Sequence, residues 1–527
     1  MKKIFSILLG AGLMFSSCAD DYLDTVPESS VGAGVIFETA ESARMAVNGL
    51  SLMMCQQYIS QGFNGEGTIK TWYGNYPGRD FQKSKLTGWA GIINLTYTER
   101  STSSYDYYPW FYYYKIIGNA NAIIEGIVES KGSESIKNEV MGQALVFRAY
   151  SYTMLAQLYS KRWVDSGDGS SRGLPLRIDT SSGELSASTL KQVYEQIYAD
   201  LDAAIKCLSD ADYKRKASEF YLPNLNVAYA TYARAALNRN DWSTAAKYAE
   251  MAREGYPLMS KSDYVEGGFN APNSEWIWGI YNGEEQTIYY YSFFAFQASN
   301  SNANICKKYP CAISKELYDQ IPKTDARREM YAAPLDSEPY LTDSEAKSQK
   351  AKTYYNEGGA KGDMAKRIKA TWGGKLDSKS YIHAYMQFKF QNSSNPGVGH
   401  LNNFRSAEMY LTEAEAKCHI GGKDAEVQAL LKELNKNLNP SYTCDKTGAE
   451  LLEEVKLYRR IDLWGEGFDW FDTKRWNESL TRKSYAEGGS FHSAFAVDVK
   501  PNEANNWCWV YPAKEVDFND ALDSVFE

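Results

Sequence analysis

The stretch 226–257 constrains the fold more than any other, because Ala228, Ala230, Ala233 and Ala236 run down one helical face to Leu237. A turn follows at Asn238-Arg239-Asn240, and Asp241-Trp242-Ser243-Thr244-Ala245-Ala246-Lys247-Tyr248-Ala249 starts a second helix. Small residues at these places let two antiparallel helices approach closely, with Trp242 filling the wedge between them. One such hairpin cannot bury its own apolar face, so other helices must cover it. A 3.6-residue apolar period supplies them at 40–58 (Ala43, Val47, Leu50, Met54), 110–128, 138–159 and 189–208. A second hairpin is expected at 404–419 and 425–438, joined by Gly421-Gly422.

The 226–257 hairpin resembles one tetratricopeptide unit of about 34 residues. Elsewhere the pattern is less regular. Residues 275–281 and 381–390 alternate as short strands do, and 336–374 is a long polar stretch of the kind that is often functional. The expected fold is mostly α, a tetratricopeptide-like scaffold of helical pairs with an irregular loop-rich lobe and a few short strands. The scaffold is placed at about 35–260 and 403–480, and the lobe at the 60–105 loops and about 261–402, all in a single domain spanning 18–527.

At the N-terminus, Lys2 and Lys3 precede an apolar run from Ile4 to Phe15, small Ser16-Ser17, and Cys18. Residues 1–17 read as a secretory signal, too short for the roughly 20 residues a membrane span needs. Cys18 would then be the first mature residue. It resembles the lipobox cysteine of bacterial lipoproteins, whose thiol is acylated, although Phe15 stands where an aliphatic residue is usual. Asp20-Asp21 resembles the acidic signal that sends Bacteroidetes lipoproteins to the cell surface.

A formal charge of −9 with no concentrated basic face argues against nucleic acid as a partner. Cysteines 55, 207, 306, 311, 418, 444 and 508 form neither a zinc pattern nor a disulfide scaffold, while Cys306 and Cys311 are close enough to bridge or to sit as two buried thiols. His383, His400, His419 and His492 are too scattered for a metal cluster, and no cofactor or metal is expected. Asp165 to Ser170 is loosely like a calcium loop but lacks the distal Glu, so a solvated loop is expected. Gly169-Ser170-Ser171-Arg172-Gly173 matches a nucleophile elbow without the strand and helix that motif needs.

The compositional outlier is aromatic, with 40 Tyr, 21 Phe and 13 Trp; most of these rings are expected in the core, since a large helical protein needs bulky fillers, and those away from core spacing are the candidates for contact. Flat apolar faces with polar tips suit sugar rings and interfaces. Two regions are candidates for ligand contact. The first is 72–100, with Trp72, Tyr73, Tyr76, Arg79, Asp80 and Trp89 among Gly, Asn and Thr; the second is Tyr289, Tyr290 and Tyr291, followed by Asn300-Ser301-Asn302. Three consecutive tyrosines on a strand cannot all face one side.

Five landmarks then resemble the SusD/RagB family of surface lipoproteins. They are Leu23-Asp24-Thr25-Val26-Pro27 after Cys18, Arg148-Ala149-Tyr150, Gly173-Leu174-Pro175-Leu176, the segment Ala407 to Ala416, and the segment Arg459 to Trp476. In the last, Asp462 and Asp469 depart from the family's usual residues, and Glu466 and Asp469 are expected to form an ion-pair network with Arg475. Tyr511-Pro512-Ala513-Lys514-Glu515-Val516 also fits the family's C-terminal segment. The resemblance implies a non-catalytic protein, lipid-anchored on the outer membrane facing outward, that captures a glycan and delivers it to a SusC-like TonB-dependent transporter. It implies ligand sites of aromatic and polar loop residues on the face opposite the helical pairs. The alternative within the family is a peptide-binding importer subunit. The rival class is a surface glycoside hydrolase, which needs two carboxylates placed across a cleft.

Overall fold

The computed structural model describes residues 33–522 apart from 61, 85–86, 287–290, 347–356 and 504. Two 26-residue helices, Ser104–Glu129 and Glu134–Tyr159, form the first long pair. Each begins where a serine hydroxyl, Ser103 or Ser133, accepts an amide from the first turn, which fixes the helix start. The helix Leu190–Asp210, opened by a reciprocal Thr189 and Gln192 cap, packs on the second of them. Arg148 joins all three: its guanidinium donates to both oxygens of Asp200 at 2.6 and 2.8 Å and to the Asn121 side-chain Oδ1 at 2.9 Å. The Arg-Ala-Tyr landmark is thus a buried clamp between helices. Satisfied on every side, such a charge holds register, and losing one partner would leave the other stranded in the core.

The alanine-rich hairpin forms as the sequence predicts. Leu225–Arg239 and Trp242–Ala252 are joined at Asn240, whose left-handed φ of 60° is one that asparagine tolerates. Ser406–Ile420 packs on Trp242–Ala252 and pairs in turn with Asp424–Asn435, and Gly448–Asp462 follows. Trp242 is only half buried, and its ring lies flat on His419 at 4.0 Å, so it ties one hairpin to the next rather than only filling its own wedge.

The strands are few and short. Phe81–Lys83, Cys311–Ile313, Met386–Gln387 and Tyr331–Ala332 make one antiparallel sheet in that order. Trp276–Ile280 pairs with Leu401–Arg405, and Leu480–Arg482 with Val497–Val499. The architecture is a mostly α scaffold of tetratricopeptide-like helical pairs with an irregular lobe. Two details differ from the expected loops. The polar stretch 336–374 contains the helix Gly362–Trp372. The first part of 72–100 is not a loop, because Gly65–Thr68 continues as a π-helical segment Ile69–Asn75 that is buried throughout. Among the described residues, no helix is long and apolar enough to cross a membrane.

The Arg459 to Trp476 landmark lies in the interior, with partners other than those expected. Glu466 meets Arg405 and Lys389 at 2.6 to 2.8 Å; Asp462 meets Arg405 and Arg327 at 2.6 and 2.7 Å. Arg475 pairs with Glu415 and Asp472, not with Glu466 or Asp469. Asp469 instead accepts the amides of Arg79, Asp80 and Phe81 at 3.1, 2.6 and 3.1 Å, and so fixes the chain entering the four-stranded sheet.

Candidate functional site

Most of the first candidate group is core. Trp72, Tyr73, Tyr76 and Asp80 are each 3% exposed or less, and this corrects their assignment to a ligand surface. Trp72 is enclosed by Phe63, Trp89, Tyr105 and Phe296. Tyr73 donates its hydroxyl to the Tyr105 carbonyl and packs on Trp509, and Tyr76 lies over Phe81. Asp80 is held bidentately by Arg460 at 2.7 and 2.8 Å. Burial alone would raise its pKa, but Arg460 and Arg79 hold it below the usual carboxylate range. Buried beside Asp80, Asp469 is pushed the other way, up to about 7. The Arg79 guanidinium faces Glu478 and the Trp476 ring, so it too is engaged within the protein.

Trp89 and Tyr291 differ. Both are partly exposed, and their rings stand 6.4 Å apart at 34°, so the two candidate regions meet here. A file of rings runs from buried Trp72 through Trp89, at 5.8 Å, to Tyr291. Tyr291 is fixed by its neighbours. Its carbonyl accepts from Asn64, and Ser292 caps the helix Phe293–Gln297 while donating to the Gly397 carbonyl at 2.7 Å. Tyr289 and Tyr290 lie outside the described residues, as does Cys18.

Tyr291 forms one wall of an open depression of about 630 Å³. Asn302 and Asn304 line a second side, with Ile305 and Lys307 from the short helix Asn304–Lys307; Asp377, Ser378 and Lys379 line the third. Asp377 closes its own turn by accepting the Lys379 amide at 2.9 Å. The Tyr381 amide donates to the Lys307 carbonyl at 2.8 Å, which brings that turn against the short helix. The lining is one aromatic face with amide, carboxylate, hydroxyl and ammonium groups around it, open to solvent. Such a set can stack an apolar ring face and hydrogen-bond the polar groups at its edge. Of the triplet Asn300-Ser301-Asn302, only Asn302 faces this space, since Asn300 bonds the Asn392 backbone and Ser301 the Pro396 carbonyl. Lys307 and residues 377–379 were missed by the sequence reading; the Asx-turn pattern Asp377-Ser378-Lys379-Ser380 was the available signal.

A second space, lined by Glu66, Lys70, Tyr150 and Arg234, is a water-sized void of about 30 Å³. Glu66 there is raised by burial, and Lys70 is brought down to about 8 by the same cause. It is too small for a sugar or a side chain. No group of three or more acidic, His or Cys residues placed to hold a metal occurs among the described residues.

Two family profiles match: one described as "Starch-binding associating with outer membrane" over residues 53–237, and the SusD family over residues 307–524. The chain belongs to the SusD/RagB family. Among solved structures it is similar to a SusD-like carbohydrate binding protein from Bacteroides vulgatus, with a TM-score of 0.73 at 21% identity over 92% of this chain and 97% of that one. It is similar also to surface glycan-binding protein A from Bacteroides thetaiotaomicron, with a TM-score of 0.64 at 18% identity over 91% and 97%. At these identities the likeness concerns the fold. SusD-like protein P2 of Formosa agariphila is 30% identical over 141 residues, a match that spans 27% of this chain and 26% of that relative's length.

Proposed function

We propose that this chain is a glycan-binding protein of the outer cell surface that captures an oligo- or polysaccharide and hands it to a partner SusC-like TonB-dependent transporter. The observation that carries the reading is the open depression at Tyr291, where a partly exposed aromatic face adjoins Asn302, Asn304, Asp377 and Lys379. Sugar C–H faces are apolar and stack on such a ring, and their hydroxyls reach the amides and charges beside it. Trp89 backs Tyr291 and holds its orientation. A shallow site with one stacking ring binds in the millimolar to micromolar range, about 4 to 8 kcal/mol, which permits release into a channel. Family membership and the carbohydrate-binding descriptions of its relatives support this reading. Acylation of Cys18 would supply the membrane anchor.

The test is calorimetric titration of the soluble chain, starting after Cys18, against oligosaccharides, polysaccharides and mixed peptides. Reversible binding of one glycan class without degradation, weakened in Tyr291→Ala, is the expected result. A response to peptides alone would move the protein to the peptide-importing branch, and turnover of a glycan would establish the hydrolase instead. Co-purification of the membrane-anchored chain with a SusC-like transporter tests delivery, and loss of membrane retention in Cys18→Ala tests the anchor.

A further inference from the structure

We propose that Cys306 and Cys311 form a modification site, closing into an intrachain disulfide when the chain folds in an oxidising compartment. Cys306 lies in the short helix Asn304–Lys307 and Cys311 begins the strand Cys311–Ile313, so the bridge would staple the floor of the depression to the central sheet. Both are buried, at 3% and 1% exposure. Their sulfurs converge on one stretch of backbone: Cys306 Sγ donates to the Ala298 carbonyl at 3.0 Å, and Cys311 Sγ lies 3.3 Å from the Phe296 carbonyl. The two thiols are also near enough to perturb each other's acidity.

A third group makes the pair asymmetric. Lys83 Nζ, buried on the neighbouring strand, donates to Cys311 Sγ at 3.3 Å and to the Phe296 carbonyl at 2.7 Å. Burial would raise the Cys311 thiol, but the Cys306 hydrogen bond and the Lys83 ammonium bring it down to about 7. Donation to Cys311 and burial push Cys306 well above its ordinary value. Within the fold the two thiols therefore differ in acidity, with Cys311 the one that gives up its proton more readily, and it is the thiolate that reacts in thiol–disulfide exchange.

The oxidant is a disulfide, either a small molecule or the Cys–Cys pair of an oxidoreductase, meeting the segment before it closes. The Cys311 thiolate attacks one oxidant sulfur, forms a mixed disulfide and expels the other sulfur as a thiolate. Cys306 gives its proton to that thiolate and attacks the Cys311 sulfur, expelling the second oxidant sulfur. Overall the two cysteines lose two electrons and two protons; the oxidant takes both electrons and ends as two thiols, one protonated by Cys306 and the other from solvent, to which Cys311 had released its proton. The second step is intramolecular between sulfurs five residues apart in the chain, and folding draws both to the 296–298 backbone, which favours closure over release.

Lys307 and Lys308 lie between the cysteines, so the test is direct. The full chain after Cys18 is refolded in a glutathione redox buffer, alkylated in denaturant, and digested with trypsin without reduction. The expected result is a pair of peptides, one ending at Lys307 or Lys308, that stay linked until a reductant separates them, with Cys55, Cys207, Cys418, Cys444 and Cys508 alkylated. The oxidised chain should melt about 2 °C above Cys306→Ser, in line with closure of a short loop in a protein of this size. Alkylated Cys306 and Cys311 in the wild-type map would overturn the proposal whether or not the variant folds.

Discussion

Replacing Trp72 with alanine separates a ring that holds the core from one that holds a ligand, and the structure fixes the expected size of the effect. The indole is 1% exposed, with the rings of Phe63, Trp89, Tyr105 and Phe296 centred 5.1 to 5.8 Å away. Removing about 200 Å² of buried apolar surface at about 25 cal/mol per Å² gives about 5 kcal/mol. The unfolded chain already hides part of that surface, which lowers the figure, and large-to-small aromatic replacements fall at about 3 to 5 kcal/mol, so about 4 kcal/mol is expected. For a cooperative unit of this length the unfolding entropy is about 1 kcal/mol per kelvin, which makes the shift about 4 °C downward. The assay is differential scanning calorimetry of Trp72→Ala beside wild type, with glycan retention measured by affinity electrophoresis well below both melting temperatures. Retained binding with a lowered melting temperature is expected. An unchanged melting temperature together with lost binding would refute the reasoning, because it would mean that the ring faces a ligand.

Tyr291→Ala should do the opposite, weakening glycan binding by about tenfold, or about 1.4 kcal/mol, while the calorimetric melting temperature stays near wild type. Asp106 is buried with neither carboxyl oxygen partnered among the described residues, and burial pushes it up to about 9. Its native proton is one the unfolded chain releases near pH 4, so this group's contribution is full below about pH 4 and is lost as pH rises toward about 9. At about 1.4 kcal/mol per pH unit, Asp106→Asn should therefore gain about 4 kcal/mol more over wild type at pH 8 than at pH 5 in urea unfolding; an equal difference at both would show a solvated carboxyl. Arg405→Ala removes the cation shared by buried Glu275, Asp462 and Glu466, leaving Arg327 on Asp462 and Lys389 on Glu466, and should cost about 3 to 5 kcal/mol, read as a lower urea midpoint, whereas Lys366→Ala breaks a well-exposed pair with Asp363 and should leave that midpoint unchanged.

What could be read from the sequence depended on whether the information was local. The helical pairs were legible because alanine spacing, Ser and Thr caps and the Asn238-Arg239-Asn240 turn each act within a few residues, and Leu225–Arg239 and Trp242–Ala252 form where they predict. Trp72, Tyr73 and Tyr76 were misread for a physical reason. Glycines beside them suggested a loop, yet Gly74 and Gly78 are there for close approach: a Cβ on Gly74 would come within 2.1 Å of the Gly467 carbonyl oxygen, and one on Gly78 within 2.2 Å of the Asp469 carboxylate. The glycines let the buried π-helical segment press against the 465–469 turn, and the aromatics around them fill the core on its other sides. The same non-local contact explains why Glu466 was assigned to Arg475, when its partner Arg405 lies some sixty residues earlier and reaches it only through the strand Leu401–Arg405. The depression joins three segments separated along the chain, and a backbone bond from Tyr381 to Lys307 helps bring the 377–379 wall against the short helix. Composition pointed to aromatic excess, and only the fold divides that excess between core and surface: of the nine ligand candidates, Trp89 and Tyr291 meet at a partly exposed position beside polar groups able to hold a sugar. Those two rings are therefore where substitution should separate binding from stability.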